Sequence, residues 1–205
     1  MRYIGEMAVI LTGIPLDTLT ELVNGWGTLP RREDGRGAKA HLPASGIAQR
    51  LGLPARVSAA LTSQALADAA DRLHEVFSTP DSETCARSLT RLLSDTGIRP
   101  VMEAAADGTL RSAWCVEDTD HALAGAAGIA LREYLADHGF ARIGICTGAH
   151  CADVYIDHSP GGRRRFCSVT CQNRTRVAAF RSRKAAASGR APDRGDRVRT
   201  DREGA

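Results

Sequence analysis

Four cysteines fall within 26 residues, spaced Cys146-x4-Cys151-x15-Cys167-x3-Cys171. No other feature of the chain limits its fold as tightly. Two close pairs separated by a hairpin-sized loop can set four thiolates tetrahedrally around one zinc ion. With four protein ligands no coordination position stays open, so one structural zinc is expected, not a catalytic one. A module of about 45 residues has little core, and metal binding supplies much of its folding free energy. His150 and His158 are alternative ligands, but four cysteines suffice and both read better as loop histidines. Cys85 and Cys115 lie far apart in amphipathic contexts and read as small core residues.

The local pattern around the cysteines predicts a treble-clef-like finger. Ile143 and Ile145 lead into a knuckle at Cys146–Cys151. Val154–Asp157 reads as a strand, Pro160-Gly161-Gly162 as a turn, and Arg164–Cys167 as the returning strand, with Phe166 packing on Tyr155. Ser168 is placed to cap a helix whose first turn holds Cys171, where the helix dipole favours a thiolate. At about 100° per residue, Asn173, Val177, Phe180 and the stem of Lys184 share the side expected to face the hairpin. Arg176 and Arg183 flank that side on one edge, Arg174 and Arg181 on the other. The opposite side is small: Thr175, Ala178, Ala179 and Ser182.

Charge is divided along the chain. Residues 141–205 hold 14 Lys+Arg against 6 Asp+Glu, whereas residues 1–140 hold 13 against 18. The positive end attracts polyanions and the negative end does not. Its cations are almost all arginine, suited to phosphate and guanine edges. Candidate DNA contacts are Arg163, Arg164, Arg165, Arg174, Arg176, Arg181, Arg183 and Lys184.

Residues 1–140 read as mostly helical. Helices are expected over Pro15–Gly25, Ile47–Leu51, Pro54 to the Pro80 break, Ser82–Leu93 and Asp118–Asp137, with a loop over 28–46. Arg99–Glu103 and Leu110–Cys115 flank the turn-like Asp107-Gly108 and suggest a short β-hairpin. Asn24, Trp26, Arg99 and Trp114 are candidates for lining an effector pocket. No spacing fits a nucleophile–base pair, a phosphate loop or a His/carboxylate metal site, so no enzyme activity is expected. Met7–Leu11 is short for a signal sequence, no run of about 18 apolar residues occurs, and clustered thiols suit a reducing compartment. These points lead to a cytoplasmic protein with no membrane partner. Residues 188–205 read as a disordered tail.

Arg165-Phe166-Cys167-Ser168-Val169-Thr170-Cys171-Gln172-Asn173-Arg174, followed by Val177-Ala178-Ala179-Phe180-Arg181, resembles the CGNR zinc-finger proteins. Cys146-x4-Cys151 and Tyr155-Ile156-Asp157-x-Ser159 before the arginine run are similar too. Glu21-Leu22-Val23-Asn24 is similar to an early motif of the helical ABATE domain that precedes such fingers. The resemblance is strong over 142–184 and loose before it. Gln172 stands where the family usually has glycine. The resemblance implies a bacterial transcription regulator responsive to stress or a signal, with the finger on double-stranded DNA and the helical domain sensing a small molecule or partner. Asn173 either braces the knuckle or contacts a base, and Arg174 either bridges to Asp157 or reaches phosphate.

The expected architecture is therefore α+β and mostly helical. A helical ABATE-like domain spans 1–140, a four-cysteine finger 141–187 and a tail 188–205. The leading function is zinc-dependent DNA binding in transcription, with homodimerisation as an aid to reading a palindrome. The alternative is a zinc scaffold for protein or RNA contacts.

Overall fold

A computed structural model describes residues 8–41 and 43–187, so the expected disordered tail, 188–205, lies outside the described residues. Helix α1 (Leu16–Trp26) starts after Pro15, whose fixed φ suits a helix entry, and buries Leu19, Leu22, Val23 and Trp26. The segment expected as a loop over 28–46 contains two short helices, α2 (Thr28–Glu33) and α3 (Ser45–Ala48). Asp71 stabilises the start of α2 by accepting from the Thr28 N–H and hydroxyl, a contact from 43 residues away. Nothing local announces it.

The long helix expected from Pro54 to Pro80 is two, α4 (Ala55–Ala60) and α5 (Ser63–Phe77). Leu61 and Thr62 are extended, and the Thr62 hydroxyl accepts from the Ala65 N–H. That bond satisfies a donor the helix start would otherwise leave orphaned, so a break at Thr62 replaces continuity. Helix α6 (Ser82–Asp95) is capped by Asp81. Its carboxylate accepts from the Thr84 N–H and hydroxyl, and these bonds lower its pKa.

Strands β2 (Arg99–Ala104) and β3 (Leu110–Val116) form the expected hairpin around Asp107-Gly108. Gly108 has φ +83°, and the Asp107 carboxylate accepts from Thr109. A third strand, β1 (Val9–Leu11), pairs antiparallel with β3 and gives the order β1-β3-β2. Three residues are too few to show an alternation in sequence.

Helix α7 (Ala122–His138), preceded by a 3-10 turn at Thr119–His121, is the central element. Every residue from Ala122 to Leu131 is buried, as expected of a helix apolar on all sides. Gly125 and Gly128 permit this: a Cβ there would collide with Ile98, and with Leu92 and Leu93, respectively. Strands β4 (Ile143–Ile145) and β5 (Val154–Ile156) form a second, two-stranded sheet. Helix α8 (Val169–Ala187) follows. Ile143, Val154 and Ile156 belong to the same buried cluster as Leu19, Leu66 and Leu131. Among the described residues no helix is long and apolar enough to cross a membrane.

Candidate metal centre

The β4–β5 pair sets the first knuckle. Ile145 pairs with Val154, and the Cys146 N–H donates to the Asp153 carbonyl at 2.8 Å, folding residues 147–152 into a tight excursion. His150 sits there at φ +55°, a left-handed conformation uncommon for a non-glycine residue. The second pair enters differently from the expectation. Residues 164–167 form no strand: β5 pairs with β4 on one side, and the chain after the Gly162 turn is held by side chains.

Two residues do the holding. Asp157, 1% exposed, accepts from the Ser159 N–H (2.9 Å) and the Arg164 N–H (2.8 Å). The Ser159 hydroxyl and these N–H groups, aided by Arg142, hold its pKa at about 2 against its burial. The Arg164 guanidinium donates to the carbonyls of Ile156 (3.0 Å), Phe166 (2.9 Å) and Cys167, with its carbon 5.8 Å from the Tyr155 ring centre. Arg164 thus packs beside Tyr155. Thr147 then ties the two knuckles together by donating from its N–H and hydroxyl to the Arg165 carbonyl, at 2.9 and 3.0 Å. Ser168 caps α8 as expected, accepting from the Cys171 N–H at 3.2 Å.

All four cysteine sulfurs lie within 4.8 Å of one another. Cys146 and Cys171 Sγ are 3.3 Å apart, and Cys151 and Cys167 Sγ 3.8 Å. Tetrahedral zinc with Zn–S bonds of about 2.3 Å requires S···S separations of about 3.8 Å, so the four fit one such ion. The histidines lie outside the set: His158 stands edge-on to Tyr134 at 5.4 Å. Cys85 and Cys115 are buried elsewhere.

The thiols have unequal surroundings. Burial pushes Cys151 up to about 12 and raises Cys167, which also faces Asp153. Burial opposes ionisation of Cys146 too, but the Cys167 and Gly148 N–H groups outweigh it and its pKa falls. The Gly148 N–H lies 3.4 Å from that sulfur. Arg174 donates to Cys171 Sγ at 3.4 Å, so it neither bridges to Asp157 nor stands free. Zinc with four thiolates has a formal charge of −2, which Arg174 partly offsets. A divalent cation would reverse the local preference for neutral thiols.

Residues 142–184 match the model of the CGNR zinc finger family. The matched segment contains all four sulfur ligands, and the cysteines form one zinc site in a CGNR-type finger. No curated protein matches the chain.

The face expected to turn α8 onto the hairpin is not packed. Asn173 is exposed with no partner among the described residues, which removes its bracing role. Val177 and Phe180 are 48% and 60% exposed. The first turns of the helix lie against the first knuckle, with Cys171 and Thr175 beside Gly148, and residues 176–184 are exposed.

The four pocket candidates also separate. Asn24 clamps β5: its side chain donates to the Val154 carbonyl (3.0 Å) and accepts from the Val154 N–H (2.7 Å). Trp26 is buried against His41, with ring centres 4.9 Å apart. Arg99 pairs with Glu117 on the sheet surface. Trp114 lines a cavity of about 570 Å³ between α6, α7 and the sheet.

Sequence reasoning missed two other residues that join helices to finger. His74 Nε2 lies 2.9 Å from the Ala152 carbonyl, and the Tyr134 hydroxyl donates to the Asp157 carbonyl at 2.8 Å. A histidine and a tyrosine at core-facing positions of otherwise apolar helices were the available signal.

Proposed function

We propose that the chain is a zinc-dependent DNA-binding transcriptional regulator, with an ABATE-like helical body that senses an effector or partner. One observation carries the DNA part. At the N-terminus of α8 a recess of about 500 Å³ is walled by His158, Arg163, Arg165 and Gln172 beside Ser168. Its one acidic residue, Asp157, is already committed to backbone N–H groups. Arginines and a helix N-terminus around one recess form a phosphate seat.

Beyond the recess α8 runs about 28 Å. Arg176, Arg181 and Arg183 hold no ion pair or hydrogen bond among the described residues. A free helix of this kind fits a major groove, with phosphates contacted from its edges. Arg164 is removed from the contact set because its guanidinium is committed to the finger's own carbonyls. Zinc acts by holding the recess and the α8 start in one geometry. The body and finger are assigned binding roles and no reaction, in the reducing cytoplasm of a bacterium.

The test is fluorescence anisotropy of a labelled duplex with zinc-loaded protein across a salt series, using random DNA and the gene's own upstream region. Arg163→Ala with Arg165→Ala should reduce the slope of log K against log salt by about 0.9 for each phosphate no longer neutralised. An unchanged slope removes the recess from the interface. Absence of any duplex binding at low salt overturns the DNA reading. A second reading, a zinc scaffold for protein or RNA, is favoured by the exposed Val177 and Phe180. Preference for matched RNA over duplex in competition would support its RNA form.

A further inference from the structure

The cavity between α6, α7 and the sheet has an apolar floor of Leu89, Leu93, Ile98, Trp114, Leu135 and Phe140. Its volume, about 570 Å³, lies within the range of small-molecule sites, about 300–1,000 Å³. Thr90 and Ser94 supply hydroxyls at the edge. No carboxylate lines it.

The one charged group in its wall is Arg132. That guanidinium stands over the Trp114 ring, 5.5 Å from its centre, and holds no hydrogen bond or ion pair among the described residues. Arg132 is exposed, and with the aromatic face covering one side of the cation its in-plane N–H fork meets solvent and no protein acceptor among the described residues. A carboxylate is the anion that fork fits best.

We propose that this cavity binds a small amphipathic monocarboxylate, its hydrocarbon part on the apolar floor and its carboxylate on Arg132. The observations favour a single negative charge because the wall offers a single cation. The inference rests on the sensor reading of the helical body and gives that sensor a ligand class.

The cavity is close to the finger along the chain. Phe140, in its wall, stands two residues before Arg142. The Arg142 carbonyl accepts the Asp157 N–H at 2.7 Å, and its guanidinium donates to the Ser159 carbonyl. Phe140 thus stands two residues from the arginine that braces the base of the finger.

The probe is sodium decanoate, titrated by calorimetry into the zinc-loaded full chain without DNA, with decanol and decyltrimethylammonium in parallel. Saturable one-to-one binding of decanoate is expected, with the other two weaker by about tenfold or more, the effect of one charge-assisted hydrogen bond. Arg132→Gln should weaken decanoate about tenfold and leave decanol unchanged. Arg132→Lys should recover most of the affinity. Ala136→Trp, on the exposed rim, should fill the cavity and abolish both.

No saturable decanoate binding to the wild type overturns the proposal. So does equal decanoate affinity in a folded Arg132→Gln protein with an unchanged thermal midpoint. Duplex anisotropy with and without decanoate is read separately. Decanoate binding without any duplex binding would sustain this site while the DNA reading fails.

Discussion

Removing the Asn24 side chain amide tests how the finger is fastened to the helices. In Asn24→Ala both bonds to Val154 disappear, and the Val154 N–H and carbonyl are left without their partner. Each half-buried bond contributes about 1 kcal/mol net, so about 2 kcal/mol is expected, more if water cannot reach the exposed peptide groups. At a denaturant slope of about 2 kcal/mol/M, the urea midpoint should fall by about 1 M at fixed excess zinc. Asn24→Asp should be no better, because a carboxylate accepts from the Val154 N–H but repels the Val154 carbonyl. Gln64→Ala, at an exposed site on α5, serves as the control and should change stability by under about 0.5 kcal/mol. A midpoint shift in Asn24→Ala no larger than in the control would refute the clamp. So would an Asn24→Asp protein as stable as wild type.

Three further outcomes follow from the metal centre. Cys167→Ser should drop zinc from one per chain to near zero by elemental analysis, and full zinc content would refute the ligand set. Gly148→Ala places a Cβ against Cys171 Sγ, so zinc transfer to a competing chelator should quicken at least several-fold. Unchanged transfer would show that the knuckle yields freely. Zinc affinity should rise about 100-fold or more per pH unit between pH 6 and 8, because Cys151 and Cys167, whose pKa values are raised, each lose a proton on binding. Calorimetry in buffers of different ionisation enthalpy counts those protons, and release of fewer than about two would contradict the assignment.

The parts legible in sequence were those set by short-range chemistry. Cysteine spacing gave the metal site, Asp107-Gly108 the hairpin turn, and Ser168 the start of α8. Features decided by contacts across long separations were not legible. The periodicity of residues 54–80 runs on through Leu61, yet the Thr62 cap divides it. Asn24 has the composition of a pocket residue, but its partner is a strand 130 residues away. On α8, the spacing of Val177 and Phe180 specifies an apolar stripe without saying whether anything in the same chain covers it. Arg164 looks in sequence like its neighbours Arg163 and Arg165, and all three line the recess; only the three carbonyls that Arg164 bonds mark it as the structural one.

The common core has a consequence for how such a finger can be exchanged between proteins. Ile143, Val154 and Ile156 lie against the leucines of α1, α5 and α7, and Asn24, His74 and Tyr134 meet its backbone. A finger transplanted onto an unrelated partner would carry a bare apolar underside and four backbone groups in search of partners, the Val154 N–H and the carbonyls of Ala152, Val154 and Asp157. Recombination that brings in a new finger must therefore bring in, or already have, a matching seat, and substitutions on the two sides of that seat are constrained to change together.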